Sequence, residues 1–259
     1  MGINDNIYDR IVDNMTDVRL YEEGVQLQNK RIFQRHRKKV RDLLSGSVRA
    51  DVTKEVSRFG RELLSHNVNS MKEFSTSQLD FHTDNIYKEV NKFYDAKKPK
   101  AKELLTEITG NNIKGSKSIT QNVKNITAGE LVRIQTKVKG GLALNKSKKE
   151  IINDVLKTTK IGEHQAKTLT RTAITSTQAA ATRKVVDANR DIIEGYMFTA
   201  ILDSRTSPIC SHHNGIVYDI DDKRFEPPLH WNCRSSLIPI VKSKNKLLDS
   251  KISRLKSKE

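Results

Sequence analysis

The sequence predicts a mainly α protein that ends in a small α+β C-terminal module, and three observations carry that expectation. Apolar residues recur at helical spacing through most of the chain before Asn189. Beyond it, adjacent apolar residues bounded by turn signals replace that period. Both cysteines, three of the seven histidines and three of the five prolines then fall between Asp203 and Arg234. The chain is otherwise polar and helix-like, so its specific chemistry is concentrated in that block.

Val18, Tyr21, Val25 and Ile32 fall close to one helical face, and Phe33, Val40 and Leu44 continue it. Ser45, Gly46 and Ser47 break this helix from the next. Val52, Val56, Phe59 and Leu63 form a second run, and Leu79, Ile86, Val90 and Phe93 a third. Lys97, Lys98 and Pro99 end the third, because the residue before proline is pushed out of the helical region. These runs make a helical N-terminal region, 1–110. Residues 110–118 are rich in breakers and mark a boundary.

Ile119, Val123 and Ile126 begin another helical run. Thr127 to Glu130 and Ser147 to Glu150 both have capping-box spacing, and Gly140 with Gly141 ends the helix between them. The next helix spans about 162–189. Its Ala166, Ala173, Ala179, Ala180 and Ala181 either allow close packing or cover an exposed face. Gly195 to Leu202 reads as a buried strand, with Val217–Tyr218 and Leu237–Val241 pairing to it in a small sheet. Pro239 removes a donor and suits an edge strand. This second unit covers 119–241. A basic tail, 242–259, is expected to be disordered alone and ordered only on a partner.

The 259 residues allow one large or two modest domains. An apolar content of 36% against 30% charge suits long helices with wide solvated faces. No stretch approaches a membrane span, and the N-terminus lacks a basic and apolar signal sequence, so synthesis in a reducing cytosol is expected. A net charge of +16 and a pI near 9.8 favour a polyanion as neighbour. With 5% aromatics, contact with double-stranded DNA would be to phosphates, without sequence preference and weakened by salt. Arg31, Arg35, Arg37, Lys38, Lys39 and Arg41 spread around the first helix. They are either a solvated face or a contact for DNA or an acidic partner.

Cys210-x-x-His213 and His230-x-x-Cys233 form two knuckle-like pairs, together a tetrahedral zinc set. Two plainer readings stand beside it: buried thiols, or His230 as a hydrogen-bonding pin for its loop. A ββα-metal nuclease is a third. His212, His213, His230 and Asn232 supply its letters but not its layout, since a short apolar run with Pro239, not a helix, follows Cys233. Asp219, Asp221 and Asp222 read as a solvated turn.

The same block resembles the Mu F-like minor head proteins of tailed bacteriophages, the head-morphogenesis family. Asp203-x-Arg205-Thr206, Cys210, Gly215 and Pro227-Pro228-x-His230-x-Asn232-Cys233-Arg234 carry the resemblance. Upstream, the Arg171-Thr172 helix, Gly140-Gly141 and Ser147 to Glu150 extend it to about 125–240. Members commonly carry cysteine where this chain has Ser207 and Ser235, an acid at Ala173, a tryptophan at Phe198 and an apolar residue at His213. Either His213 replaces the missing thiol or metal binding has been lost.

Within the motif, Pro228 stiffens the approach to His230, Gly215 suits a turn at positive φ, and Asp203 with Arg205 is expected to tie to Arg234. The resemblance implies a minor capsid protein without catalysis, acting in procapsid assembly and present in few copies. It would dock at the portal protein and meet other capsid or scaffold proteins. Its place would be the virion, after assembly in the host cytoplasm. The competing function is a metal-dependent nuclease or maturation enzyme built on the His/Cys block.

Overall fold

The computed structural model describes residues 3–90, 97, 99, 118–243 and 246. Among the described residues, four long helices, α1 (Ile3–Gly46), α2 (Thr53–Val90), α3 (Ile119–Ala143) and α4 (Lys148–Ala188), precede a three-stranded sheet. Its strands are β1 (Ile193–Thr199), β2 (Val217–Asp219) and β3 (Ser236–Val241), with a short helix, α5 (Pro208–His213), after β1. Both β2 and β3 pair antiparallel to β1, in the order β2-β1-β3, so Pro239 does lie on an edge strand. Gly195 is needed where β1 meets β2, since a Cβ there would lie 2.4 Å from the Tyr218 carbonyl oxygen.

α1 and α2 run antiparallel and α4 packs on both. Ile7, Leu79, Val185, Ile193 and Ile238 form one core beneath the sheet. Phe33, Phe59, Ile126 and Leu169 form a second, and Val40, Val56, Ile134 and Val155 a third at the far end. The edge of β3 is closed by α1: Asn4 Nδ2 donates to the Val241 carbonyl at 3.1 Å, and Val241 N–H donates to Asn4 Oδ1 at 2.9 Å. An exposed strand edge is thereby covered.

Several local expectations are corrected. The second and third N-terminal runs are one helix, α2. Its middle buries Asn67, Ser70, Ser75 and Gln78, polar residues that interrupt the apolar period without breaking the helix. Asn67 is bonded within the bundle, Nδ2 donating to Asn29 Oδ1 at 3.0 Å while Thr170 Oγ1 donates to its Oδ1 at 3.0 Å. Thr127 caps nothing: it lies inside α3 and donates to the Val123 carbonyl. Ser118 is the N-cap there, whereas the Ser147–Glu150 capping box forms as read.

Gly140 and Gly141 do not end α3. Gly141 lets α4 approach, since a Cβ would stand 2.5 Å from Ile151 Cγ1. α4 is continuous through 162, where Gly162 gives room to Phe33 and Glu130. Ala166, Ala173, Ala179 and Ala181 are buried, which favours close packing. β1 begins at Ile193 and ends at Thr199, short of Leu202. Phe93, Lys98, the breaker-rich 110–117 and most of the basic tail lie outside the described residues. None of the described helices is long and apolar enough to cross a membrane.

Candidate metal centre and its clasp

Three elements converge on one small core of Tyr196, Phe198, Cys210, Cys233 and Leu237. Ser207 caps α5, accepting from the Cys210 N–H, and Pro208 starts the helix with φ already fixed. Cys210 is thereby turned inward. The chain returns through Gly215, whose φ of 81° places its N–H on the Phe198 carbonyl at 2.8 Å. A loop through the buried pair Pro227 and Pro228, joined by a cis peptide, then delivers His230 and Cys233.

That loop is bolted to α4 by threonines. Thr175 Oγ1 donates to the Cys233 carbonyl at 2.6 Å, and Asn232 N–H donates to Thr172 Oγ1 at 3.1 Å. Asn232 Nδ2 donates to Thr168 Oγ1 at 3.4 Å, with Asn232 itself at a φ of 63°. Sequence reasoning took Asn232 as a motif residue but missed Thr168 and Thr175. Their spacing with Thr172, one stripe on one helix face, was the available signal.

Cys210, His230 and Cys233 bring their ligand atoms within 4.8 Å of one another. The two Sγ atoms are 3.7 Å apart, and Cys210 Sγ is 3.2 Å from His230 Nε2. Two sulfurs about 2.3 Å from one tetrahedral zinc would be about 3.8 Å apart, so the thiol pair fits the ion's geometry. The imidazole is also set for ligation. Its Nδ1 lies 2.7 Å from the Trp231 carbonyl and must donate there, which leaves Nε2 as a bare acceptor toward the sulfurs.

Ser207 Oγ stands 2.7 Å from the same nitrogen, and the cavity beside the triad is about 10 Å³, room for about one water. The thiols are unequal. The bond from Cys210, and backbone N–H groups of Ser235 and Leu229, push the Cys233 thiol down against its burial. The same bond and burial push Cys210 up.

His213 does not join this set. Its Nδ1 shares a 2.5 Å hydrogen bond with Tyr218 Oη, and its ring lies 4.1 Å from that of Phe225. Burial among these rings lowers its pKa. A position that faces an aromatic pocket cannot also face the sulfurs, so the four-ligand set read in the sequence becomes three.

Beside the triad sits a clasp. Arg234 donates through both terminal nitrogens to Asp203, at 2.7 and 2.6 Å, a bidentate pair. The Arg205 N–H and guanidinium add bonds at 2.8 and 3.3 Å. The Arg234 guanidinium, then the Arg205 N–H, hold the Asp203 carboxyl well below the usual carboxylate range. Thr206 closes the turn, accepting from Asp203 N–H and donating to the Ile201 carbonyl.

The basic set on α1 is divided. Arg35 pairs with Glu62 and Arg37 with Glu163, while Arg31, Lys38, Lys39 and Arg41 are exposed. Asp219 and Asp221 are exposed as well, Asp221 pairing with Arg190.

Residues 132–238 match the family described as Phage Mu protein F like protein. Comparison with curated proteins and with solved structures found no match.

Proposed function

We propose that this chain, whose residues 132–238 match the Phage Mu F-like family, is a structural protein of phage head morphogenesis, without catalysis. In this reading it enters the procapsid by contact with other capsid proteins, docks at the portal vertex and remains in the virion. The observation that carries the reading is the closed form of the module. Bidentate clasp, threonine bolts and Cys/His triad lock two loops together, and the cavity at the triad holds about one water. The same module turns Leu202, Ile209, Val217 and Trp231 outward, apolar surface available to a protein partner.

Co-expression with the portal protein of the same genome tests the docking. The two are expected to co-purify, and Trp231→Asp or Val217→Asp to abolish it. These exposed positions are chosen because β1 and β3 belong to the shared core, so deleting them would unfold the bundle. A wild-type chain that fails to co-purify would sink the docking assignment. Exposed Arg31, Lys38, Lys39 and Arg41 are the residues that would meet packaged DNA, through phosphates and in a salt-dependent way.

The triad's role in this reading is a structural metal site. Cys210, Cys233 and His230 Nε2 would hold zinc, which would supply local folding energy. The purified protein is expected to carry about one equivalent. Cys233→Ser should release it and loosen 200–235, whereas His213→Leu should retain it. Metal-free protein with an ordered module would remove zinc from the reading. An open fourth corner is the one feature shared with catalytic zinc sites, and DNA hydrolysis lost in His230→Ala would favour the nuclease instead.

A further inference from the structure

A second feature lies apart from the triad, in the seam where α1 and α4 meet the module's loops. A cleft of about 200 Å³ opens there, lined on one side by Val18, Ile174 and Ile201. Its cations are Arg19, Lys167, Arg171, Arg205 and Arg234, against the acids Glu22 and Glu23. Asp203, bound to Arg234 and Arg205, is a third acid close by. Positive charge is therefore in excess, in a slot walled by protein on both sides.

The pairs already present leave donors over. Glu22 Oε1 takes Nε and one terminal nitrogen of Arg171, at 2.8 and 2.6 Å. The second terminal nitrogen of Arg171 bonds to none of the described residues. Glu23 reaches Arg19 only at 3.4 Å. Lys167 forms no ion pair with any described residue. Gln178 lines the cleft at 4% exposure, and its Nε2 has no hydrogen-bond partner among them. A buried amide donor left unmade costs about 1–3 kcal/mol unless something accepts from it. A wider groove of about 660 Å³ continues along the same seam and shares Lys167 and Glu23; Lys30, Lys160 and His164 line it beside Arg37, which is paired with Glu163.

We propose that this seam binds an acidic, extended segment of a partner protein. A carboxylate of the segment meets Arg171, Lys167 and Gln178, a neighbouring apolar side chain covers Val18 and Ile201, and the remaining acids follow Lys30 and Lys160. Arginine favours carboxylates through its forked donors. A peptide fits better than duplex DNA, because a duplex offers regularly spaced phosphates on a convex surface and nothing apolar for the Val18 side. The inference deepens the docking reading and rests on it for the partner's identity as a capsid-side protein. The chemistry of the cleft uses neither Cys210 nor the exposed apolar residues of the module.

The test is fluorescence anisotropy of the purified full chain with a labelled peptide of alternating Glu and Leu, its termini blocked. Saturable binding is expected, absent for the same peptide with Gln in place of Glu. Lys167→Glu and Gln178→Leu should each weaken it about tenfold or more, and Lys124→Glu, exposed on α3 and outside both clefts, should not. Thermal melts check folding, and Lys167→Ala carries the test if Gln178→Leu unfolds. No saturable binding, or equal weakening by Lys124→Glu, would overturn the proposal. So would a short DNA duplex that binds with the same sensitivity to Lys167 and Gln178. Peptide binding without portal co-purification refutes only the docking assignment, and the reverse outcome refutes only the cleft.

Discussion

The helical bundle and the C-terminal module are held together by different means. In the bundle, buried polar groups are spread along the whole length of the helices. Asn14 meets Gln78, Asn29 meets Asn67 and Thr170, and His36 sits between Glu55 and Glu130. In the module, a few contacts close two loops: one bidentate ion pair, one Cys/His triad and three threonine bolts. Distributed polar contacts fix the register of helices whose apolar stripes alone would tolerate sliding. Point contacts instead hold an irregular backbone that has no ladder of its own. Damage to the bundle should therefore be global, and damage to the module local.

The strongest test of that contrast is His36→Leu. His36 is wholly buried and stacks on Phe59 at 4.2 Å, with Nδ1 3.2 Å from Glu55 and Nε2 3.5 Å from Glu130. Arg58 and Arg133 complete the cluster from the outer side. Removing the ring takes away the stack on Phe59 and the group between Glu55 and Glu130, whose carboxylates keep Arg58 and Arg133. It leaves the buried Glu130 oxygen and the inner Glu55 oxygen facing an apolar side chain, a loss of about 1–3 kcal/mol for each. A single cooperative melt at much lower temperature is expected, module included. A variant that melts near wild type would show that the bundle does not depend on this cluster.

Acid probes the bundle at a second point. His82 is buried between α2 and α4, with Nε2 3.0 Å from Thr182 Oγ1. Thr182 spends its proton on the Gln178 carbonyl, so Nε2 carries the imidazole proton. Desolvation alone lowers the His82 pKa to about 3. The unfolded chain, with a value near 6.5, binds the proton first. Stability is then complete above about pH 6.5 and falls as pH drops toward 3, by about 2 kcal/mol at pH 5. Urea titrations at pH 7 and pH 5 should show this loss, and His82→Gln should reduce it. An unchanged pH dependence in the variant would place the acid sensitivity elsewhere.

These buried polar residues also explain what the sequence did and did not disclose. The small sheet, the edge position of Pro239, the Ser147 capping box and the turn at Gly215 rest on local rules, and local residues satisfy them. The length of α2 and α4 was hidden because Asn67, Gln78 and Gly162 look like interruptions until their partners on other helices are known. The triad was half legible. Cys210, His230 and Cys233 converge, but a spacing of two residues cannot distinguish the inward face of α5 from the aromatic pocket that takes His213. Thr168, Thr172 and Thr175 were visible as a stripe, yet nothing local says that a loop sixty residues on will bond to it.

The smallest expected effect belongs to the clasp, and it tests whether the module's damage is truly local. Asp203→Asn keeps the shape and removes the charge that Arg234 grips at two points. The pair lies at the surface, where such bridges contribute little to global stability. The melting temperature of the bundle should scarcely move, while amide exchange rises in 201–206 and 229–235. Because the Asp203 carboxyl is held below its unfolded value, its contribution is present above about pH 4 and is lost as pH falls through the lower folded value. Wild type in strong acid should therefore approach the exchange pattern that the variant shows at neutral pH. A large drop in the bundle's melting temperature would mean that the clasp supports α1 and α4 as well, and the division between distributed and point contacts would fail.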